Sequence, residues 1–471
     1  MVAVASLVTF IWLADAMWRH VTGLAAPAYD LAYFQQIVWN LGHGRGFTSS
    51  FSPGNFLGLH FSPLLAVPAV IELVWTDPRA LQELAALCLA LAIPAAFLLL
   101  RAAFRPSRHA TALAAALSVP LPLSAVVQEA AVAGFHTEVM ALPLALMAGW
   151  AGLTRRTPVL WGCALLALMA KEDQSYTVAC IGLLVIARGG PAMRRHGAGV
   201  LAAAVVWGVL VFTVVMPALR GSGRLDTDDY YGWLGGGWSS LLAPIRQPGA
   251  VWAAISRPGG WLIATGLILG LAGLPLLRPR WACLLLPPLL ADLLSHNSAQ
   301  AAVHLQYGLP LIVPAVVATA MGGRRLLFLA AAGRRRLRLR GTRRASLTIA
   351  LAAVPALVVA GLTGDLPPGR VGSPAFAPPS ALAELQRVTA RLPAGAAVAT
   401  DDDLAAPLAS RAQLFLLPNA PSSAYVVVDR DARTPGYGDP EARDAVVAEL
   451  PLRRTLIVGD GRFELWSPDD G

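Results

Sequence analysis

Long apolar stretches without charged residues recur along most of the chain, and they constrain its fold more than any other feature. A membrane helix needs about 20 mostly apolar residues, and somewhat fewer where neighbouring helices bury its ends. The predicted fold class is therefore an all-α polytopic membrane bundle of about 11 transmembrane helices. The predicted spans are 2–18, 80–100, 110–128, 137–153, 158–171, 174–187, 198–219, 258–277, 281–294, 308–322 and 345–363.

The composition excludes most other classes of protein. Of the 471 residues, 56% are hydrophobic and 14% are charged, against about 25% charged in ordinary soluble proteins. All four cysteines lie in apolar stretches without CxxC spacing, so neither a zinc site nor a disulfide framework is expected. The stretch 2–18 has no basic segment before it and no convincing cleavage site, which favours a retained first span over a signal peptide.

Arginine predicts the orientation of the bundle. With a cytoplasmic N-terminus, the inner loops hold 19 arginines and no Asp or Glu. These loops are 101–109, 154–157, 188–196, 278–280 and 323–344. Short cytoplasmic loops are enriched in Lys and Arg, so the opposite orientation is rejected. The net charge of +9 therefore indicates orientation and contact with anionic lipid head groups rather than binding of nucleic acid.

One apolar segment, residues 60–76, has two interpretations. It is only about 15 residues long, and Pro63 and Pro68 interrupt it. If it crossed the membrane, the three arginines of the loop 101–109 would lie outside the cytoplasm. A re-entrant or interfacial helix on the outer side is preferred, which makes residues 19–79 one large first outer loop.

The composition changes after the last predicted span, which ends a membrane domain at 1–363. A Pro- and Gly-rich linker is predicted at 364–379, followed by a small extracytoplasmic α/β domain at 380–471. Helices are predicted at 381–392 and 441–450 and after Asp401–Asp403, with strands at 396–400, 413–417, 425–429, 455–458 and 462–466. This domain has no GxGxxG or Walker pattern, so nucleotide binding has no support.

Polar and aromatic residues collect in four loops that the predicted orientation places on the outer side. Ionisable groups at membrane depth are costly, so they usually mark a site or a compensating pair. The candidate site residues are Asp30, Gln35, Trp39, Asn40, His60, His136, Glu138, Lys171, Glu172, Asp173, His296, Asn297, His304, Gln306 and Tyr307. Lys171 is the sole lysine among 37 basic residues. Because these groups share one side of the bundle, we interpret them as one functional site.

Each group also has a purely structural interpretation, and the sequence leaves these open. Lys171 and its neighbouring carboxylates would form an ion pair that caps two short helices. His136 and Glu138 would be interfacial hydrogen-bonding groups, and Asp30 would be a helix N-cap. His60, Trp39 and Tyr307 would anchor the chain at the membrane interface.

The residue types suit transfer of a sugar from a lipid phosphate. A carboxylate can act as general base on a hydroxyl nucleophile, and Lys or protonated His can neutralise a phosphate leaving group. Aromatic faces suit sugar rings, and Asn and Gln side chains can bind sugar hydroxyls. The expected partners are membrane lipid, a lipid-phosphate-linked sugar donor and a glycan, lipid or protein acceptor.

Five segments that carry these residues resemble a known family. They read YDLAYFQQIVWNLGHGRGF, LGLHFSPLL, GFHTEVMALPL, LMAKEDQSY and LLSHNSAQAAVHLQYGLPLI. In this order they are similar to the bacterial membrane family called domain of unknown function 2079, over most of residues 20–322. That family is similar in layout to the GT-C glycosyltransferases, which use polyprenyl-phosphate sugars on the outer face. The resemblance implies a protein of the bacterial cell membrane.

The resemblance also implies a catalytic residue. GT-C enzymes place an essential acidic residue in the first outer loop, and Asp30 holds that place here, so it is implied as the general base. From their chemistry, His60, His136, Glu138 and Lys171 are expected to line the donor phosphate or the acceptor. His304 and Tyr307 are expected to contact the donor.

Cofactor use stays open in the sequence. No cofactor is certain, and a divalent metal held by Asp30, His136 and Glu138 is possible because these residues offer N and O ligands. The second outer loop lacks a paired DxD or DE, which puts a metal-dependent mechanism in doubt.

Two alternative functions are weaker. A transporter or flippase for a lipid-linked or polar solute would carry polar residues through the bilayer and often has two similar halves, neither of which is seen here. A membrane scaffold for the C-terminal domain would leave the clustered polar loops unexplained.

Overall fold

The molecule is a helical bundle with one small sheet near the C-terminus. The computed structural model of the protein describes residues 1–26, 28–52, 54–220, 230–235, 242–333, 358–359, 380–432, 440–459 and 461–469. The predicted span 345–363 lies outside these residues except for 358–359, and the predicted linker 364–379 lies outside them entirely.

Several helices are apolar, but few are long enough to cross a membrane. Among the described residues, four segments pass by length and composition, namely Val2–Thr22, Pro78–Phe104, Pro191–Arg220 and Ser298–Leu329. A fifth forms if Ala110–Leu123 and Ala125–Ala133, bent by 43°, are counted together. Shorter apolar helices are Pro63–Glu72, Glu138–Leu153, Thr157–Leu168, Gln174–Arg188 and Pro258–Gly270. The predicted count of eleven spans is not confirmed.

Other helical segments lie between or within these. The α-helices are Tyr33–Gly42, Ala66–Glu72, Ala110–Ser118, Pro191–Leu210, Met216–Arg220, Ala243–Arg246, Pro248–Ile255, Pro279–Ala282, Leu286–Leu293, Ser298–Ala301 and Leu309–Gly333. Turns of 3-10 helix occur at Phe56–Gly58, Pro63–Leu65, Leu121–Leu123, Gly232–Leu234, Leu274–Leu277, Cys283–Leu285 and Leu305–Gly308. Two π-helical turns occur at Ala28–Ala32 and Val211–Val215.

Proline and left-handed backbone conformations explain why some predicted spans are broken. The stretch 281–294 contains a 3-10 turn before a new helix begins at Leu286. Pro287 and Pro288 stand in the first turn of that helix, where a missing N–H is tolerated. The α-helix of the predicted span 258–277 ends at Gly270, because Ala272 and Gly273 adopt φ angles of +58° and +63°.

The helix Pro78–Phe104 packs against both Val2–Thr22 and Glu138–Leu153 at the centre of the bundle. Close approach between helices depends on small residues. A Cβ atom added to Gly152 would collide with Cγ2 of Val185. Any side chain there would push the helix Glu138–Leu153 away from the helix Gln174–Arg188. The segment that carries His136 would move with the first of these helices.

Residues 60–76 contain the helix Ala66–Glu72, which has only seven residues. At 1.5 Å per residue it is about 10 Å long, far short of the ~30 Å hydrocarbon core. Val67 and Val70 are exposed, whereas Glu72 is buried. By itself this helix is too short to span the hydrocarbon core.

The C-terminal region contains a five-stranded sheet, as the strand patterns predict. The strands are β1 (Val398–Thr400), β2 (Leu414–Leu416), β3 (Tyr425–Asp429), β4 (Leu456–Gly459) and β5 (Phe463–Trp466). Their order is β2-β1-β3-β5-β4. β1 is parallel to β2 and β3, and β5 is antiparallel to β3 and β4. The associated helical segments are Ala381–Thr389, Asp402–Leu404, Ala405–Leu408 and Pro440–Arg453.

Candidate functional site

Asp30 lies on the π-helical turn Ala28–Ala32, which leads directly into the helix Tyr33–Gly42. Single π turns inside helical runs are rare and are frequent at functional sites. The Asp30 side chain is 21% exposed, so its carboxylate is reachable while its backbone is held in a packed segment. This combination suits a group that must meet a substrate in a fixed position.

His136 is the partner of Asp30. Its Nε2 lies 3.2 Å from Oδ1 of Asp30, and its ring is buried. His136 follows Gly134, whose φ is +85° and whose added Cβ would meet the Gln82 side chain at 2.9 Å. Glycine is therefore required there, and it turns the chain so that the imidazole faces Asp30.

Lys171 and Asp173, both partly buried, and the buried Glu138 form a charged group beside this pair. Lys171 Nζ donates to Oε1 of Glu138 and lies 3.8 Å from Oδ2 of Asp173. Glu138 begins the helix Glu138–Leu153, and Lys171 lies in the turn before the helix Gln174–Arg188. The lysine charge is thus already compensated by carboxylates of the protein.

Glu172 joins the first loop to the same turn. Its Oε1 lies 3.0 Å from Nδ1 of His60, and its Oε2 accepts a hydrogen bond from the Phe61 backbone N–H at 2.9 Å. The backbone N–H of Leu64 donates to the Met169 carbonyl at 2.9 Å. These bonds fix the segment that begins at His60 against the Lys171 turn.

The three groups together carry an excess of negative charge. Asp30, Glu138, Glu172 and Asp173 bring four carboxylates, against the one ammonium of Lys171 and the imidazoles of His60 and His136. Among the described residues, however, no three or more His, Cys, Asp or Glu side chains are grouped to hold a metal ion. The structure therefore gives no support to the metal site suggested for Asp30, His136 and Glu138.

His304 is held by a different partner. Its Nδ1 lies 3.2 Å from Oε1 of Glu129, whose Oε2 accepts the Leu305 backbone N–H at 3.2 Å. Val303 and Leu305 on either side have φ angles of +58° and +57°, a conformation that costs energy for residues with side chains. The His304 side chain remains 46% exposed, so nearly half of its surface is accessible to solvent.

His296 and Asn297 mainly organise their own loop. The His296 ring stacks on Trp233 with centroids 5.2 Å apart. The Asn297 Oδ1 accepts the backbone N–H of Gln300 at 3.0 Å and so caps the helix Ser298–Ala301. Gln306 in the next turn is buried.

Three residues that sequence reasoning did not select belong to the same polar interior. Asp292 is buried and accepts a hydrogen bond from Nε2 of Gln300 at 3.2 Å, and the same amide group donates to Tyr231. Asp292 interacts electrostatically with Asp173, and Tyr176 interacts with both of them. Tyr176 lies only five positions after Lys171, and this closeness in the sequence could have identified it as a candidate.

Tyr307 lies near this interior, close enough for the charges of Lys171, Glu138 and Asp30 to act on it. The loops that carry Asp30, Glu138, Lys171, Asp292 and Tyr307 therefore approach one another, although they are far apart in the sequence.

Gln35, Trp39 and Asn40 make other contacts. Gln35 Nε2 donates to Glu72 at 3.0 Å and to the Ser410 hydroxyl at 2.9 Å. Trp39 stacks on His43 with centroids 4.0 Å apart. Asn40 donates to the Thr48 carbonyl at 2.9 Å. Their described partners belong to the first loop and the C-terminal domain rather than to the Asp30 pair.

Glu72 is the buried acid of this second region. Burial raises the pKa of its carboxyl to about 7, although hydrogen bonds from Gln35 and Ser410 act in the opposite direction and Asp77 adds a smaller upward effect. Glu72 is therefore largely protonated at mildly acidic pH and about half protonated at neutral pH. It lies where the first loop meets the C-terminal domain.

Acidic residues of the C-terminal domain also reach the Asp30 segment. Asp402 follows β1, and its Oδ1 accepts the Ala28 backbone N–H at 3.1 Å. Burial raises the pKa of Asp402, the Ala28 hydrogen bond opposes this, and the charge of Asp30 adds to it. Burial likewise raises the pKa of Asp403 to about 7. The sequence pattern had placed these residues only before a helix.

Comparison with known proteins gives two kinds of match. The sequence matches the family described as "Predicted membrane protein (DUF2079)" over residues 20–435. No curated protein matches it significantly. Its fold is similar to ArnT from Cupriavidus metallidurans bound to undecaprenyl phosphate, with a TM-score of 0.53 and 14% identity, covering 99% of this chain and 98% of that one.

Two further structures are similar to a comparable or smaller extent. ArnT from the same organism in the apo state gives a TM-score of 0.52 at 14% identity, covering 99% of this chain and 98% of that one. The third structure is the archaeal oligosaccharyltransferase AglB from Archaeoglobus fulgidus, in complex with an inhibitory peptide and a dolichol-phosphate. Its TM-score is 0.38 at 13% identity, and the match covers 99% of this chain and 74% of that one.

These matches confirm the resemblance seen in the sequence. The likeness to ArnT over nearly the full length of both chains shows a GT-C-like fold. The family match includes every candidate site residue and Asp402 as well. The chain belongs to the DUF2079 family of predicted membrane proteins.

Proposed function

We propose that this protein is an integral-membrane glycosyltransferase. It moves a sugar from a lipid-phosphate-linked donor to an extracytoplasmic glycan, lipid or protein acceptor, with Asp30 as the general base. The observation that carries the proposal is the partly exposed Asp30 carboxylate, held by buried His136 among the converging polar loops of a GT-C-like bundle.

The donor class is supported by the fold. The ArnT structure with the similar fold contains undecaprenyl phosphate, and at 14% identity this likeness concerns the fold alone. A bundle of this kind can hold a lipid phosphate, and the charged and aromatic residues around Asp30 are the types that bind a phosphate and a sugar ring. A lipid-phosphate sugar is therefore the donor to test.

The proposed step uses Asp30 as a proton acceptor. A carboxylate oxygen of Asp30 takes the proton of the acceptor hydroxyl while the hydroxyl oxygen bonds to the anomeric carbon of the sugar. The bond between that carbon and the phosphate oxygen breaks, and the lipid phosphate leaves with the electron pair. His136 Nε2, 3.2 Å from Asp30 Oδ1, holds the carboxylate in position.

The leaving phosphate needs positive charge nearby. Lys171 and His60 line this region in the proposal, but both are engaged by carboxylates. His304 is also paired with a carboxylate, that of Glu129, but its side chain is 46% exposed, and together with Tyr307 it is the proposed contact to the donor. We assign Lys171 mainly to ordering Glu138 and Asp173 around the site.

Turnover by two matched variants tests the role of Asp30. Purified wild type, Asp30→Asn and the control Asp15→Asn would be given a panel of polyprenyl-phosphate sugars labelled in the sugar. Asp15 is an exposed aspartate on the first helix. We expect Asp30→Asn to lose at least ~10²-fold in turnover and Asp15→Asn to match wild type. Equal turnover by Asp30→Asn and wild type would exclude Asp30 as the base.

A further inference from the structure

The C-terminal domain docks on the first loop through several hydrogen bonds. Gln35 donates to the Ser410 hydroxyl at 2.9 Å, and Gln36 donates to the Arg411 carbonyl at 3.2 Å. The Ser50 hydroxyl accepts the Leu414 backbone N–H at 2.9 Å. These contacts place the acidic loop that follows β1 against the segment that carries Asp30.

Asp402 makes the contact that matters most for Asp30. Its Oδ1 accepts the backbone N–H of Ala28 at 3.1 Å. Ala28 is the first residue of the π turn, and it is completely buried. The first N–H groups of a helical segment have no partner within the helix, and a buried N–H without a partner is costly.

The helix Ala405–Leu408 continues this contact, because it packs directly on the π turn Ala28–Ala32. Ala405 and Ala406 have no exposed surface, so two small side chains allow the close approach. The π turn is therefore held at its first N–H by Asp402 and along its side by this helix. Asp30 lies two residues after the bonded amide.

The neighbouring carboxylates do not share this role. Asp401 forms two hydrogen bonds with Arg443, at 2.9 and 3.0 Å, and Asp429 forms two with Arg462, at 3.0 and 2.8 Å. Both pairs lie within the C-terminal domain. Asp402 is the residue of this acidic loop whose carboxylate bonds the Asp30 segment.

We propose that the C-terminal domain is an integral part of the catalytic site, in which Asp402 holds the Ala28–Ala32 turn and so positions Asp30. This inference rests on the proposed function of Asp30. Asp402 is a positioning residue, since it acts through the backbone of Ala28 and not on the reacting atoms.

Three variants separate positioning from folding. Asp402→Ala removes the acceptor of the Ala28 N–H. Asp402→Asn keeps an oxygen that can accept it. Asp403→Ala is the matched control, because Asp403 lies in the same loop and is equally buried. Its side chain is not bonded to the Ala28 amide, and its Oδ1 has no hydrogen-bond partner within the described residues.

Two measurements are made on each full-length variant. The first is amide hydrogen exchange in a peptide that covers the Ala28–Ala32 turn, which needs no substrate. The second is steady-state sugar transfer, in which we expect Asp402→Ala to lower kcat at least ~10-fold with little change in the donor KM. We expect exchange in that peptide to accelerate in Asp402→Ala and to stay near wild type in Asp402→Asn and Asp403→Ala.

Two results would overturn the inference: wild-type exchange and kcat in Asp402→Ala, or equal changes in both measurements in Asp403→Ala. Absence of sugar transfer by wild-type protein would instead count against the proposed function. The exchange measurement would then still decide whether Asp402 holds the turn.

Discussion

Oδ1 of Asp30 lies 3.2 Å from Nε2 of His136, although the two residues are 106 positions apart in the chain. The contact joins the π turn of the first loop to the segment that precedes the helix Glu138–Leu153. The His136 ring is buried while Asp30 is partly exposed. The histidine can therefore orient the carboxylate from the protein interior without blocking access from solvent.

Replacing His136 should impair catalysis more than stability. We expect His136→Ala to lower kcat about 10²-fold, since a displacement of about 1 Å at a reacting group can have that effect. His136→Gln can place an amide N–H near the position of Nε2 and should recover part of the loss. His196→Ala, at the other end of the bundle, is the control. Equal kcat in His136→Ala and wild type would contradict the orienting role.

The Lys171–Glu138 pair should be coupled in stability. Lys171→Met leaves the buried Glu138 carboxylate without its cation, which we expect to destabilise the fold by ~3–5 kcal/mol. The double variant Lys171→Met/Glu138→Gln should recover a large part of that loss, because it removes the unpaired charge. Unfolding of the single and double variants in detergent measures the coupling. Additive losses would show that the pair is not coupled.

Glu72 should make stability depend on pH. The pKa of its carboxyl is about 7 in the folded protein against 4.5 for an ordinary glutamate. Between these values the folded state keeps a proton that the unfolded state has released. The contribution of Glu72 to the free energy of unfolding is therefore complete below pH 4.5. It is lost as the pH rises through 7, with a slope of at most ~1.4 kcal/mol per pH unit.

The variant Glu72→Gln removes this proton while leaving an oxygen for the Gln35 bond. We expect the thermal midpoint to vary less between pH 5 and 8 in Glu72→Gln than in wild type. Glu449→Gln, at an exposed position, should keep the wild-type dependence. The same pH dependence in Glu72→Gln would assign it to another group.

The proposed orientation can be tested with single cysteines. In a background with Cys283 replaced by Ser, we would introduce Ser423→Cys in the C-terminal domain or Arg195→Cys in the loop 188–196. Both positions are exposed. A membrane-impermeant maleimide should label Ser423→Cys in intact cells and Arg195→Cys only after permeabilisation. The reverse pattern would invert the proposed topology.

The positions of the helices could be predicted from the sequence more easily than the points at which helices are interrupted. The helix Gln174–Arg188 begins and ends within one residue of the predicted span 174–187, because a long apolar run is a direct signal. The stretch 281–294 is equally apolar, but hydropathy does not reveal that a new helix begins at Leu286. The break depends on where backbone hydrogen bonds are interrupted, and prolines at helix starts and inside helices look alike in composition.

The candidate site was predictable as a set of residues and not as a set of contacts. Asp30 and His136 were both selected from their loops, but their pairing depends on tertiary structure. Gln35 was selected for the same reasons and instead bonds Glu72 and Ser410. Asp402 was not selected, because a carboxylate that bonds the backbone of a distant segment has no local sequence signature.

The hydrogen bonds of Ser50 affect the edge of the sheet as well as the docking of the C-terminal domain. Strand β2 lies at the edge of the sheet, and the Ser50 hydroxyl occupies the outward-facing N–H and C=O groups of Leu414. Open strand edges promote pairing between molecules. The first loop therefore occupies these groups at the edge of β2, and a C-terminal fragment produced alone is expected to expose them and to pair more readily with other molecules.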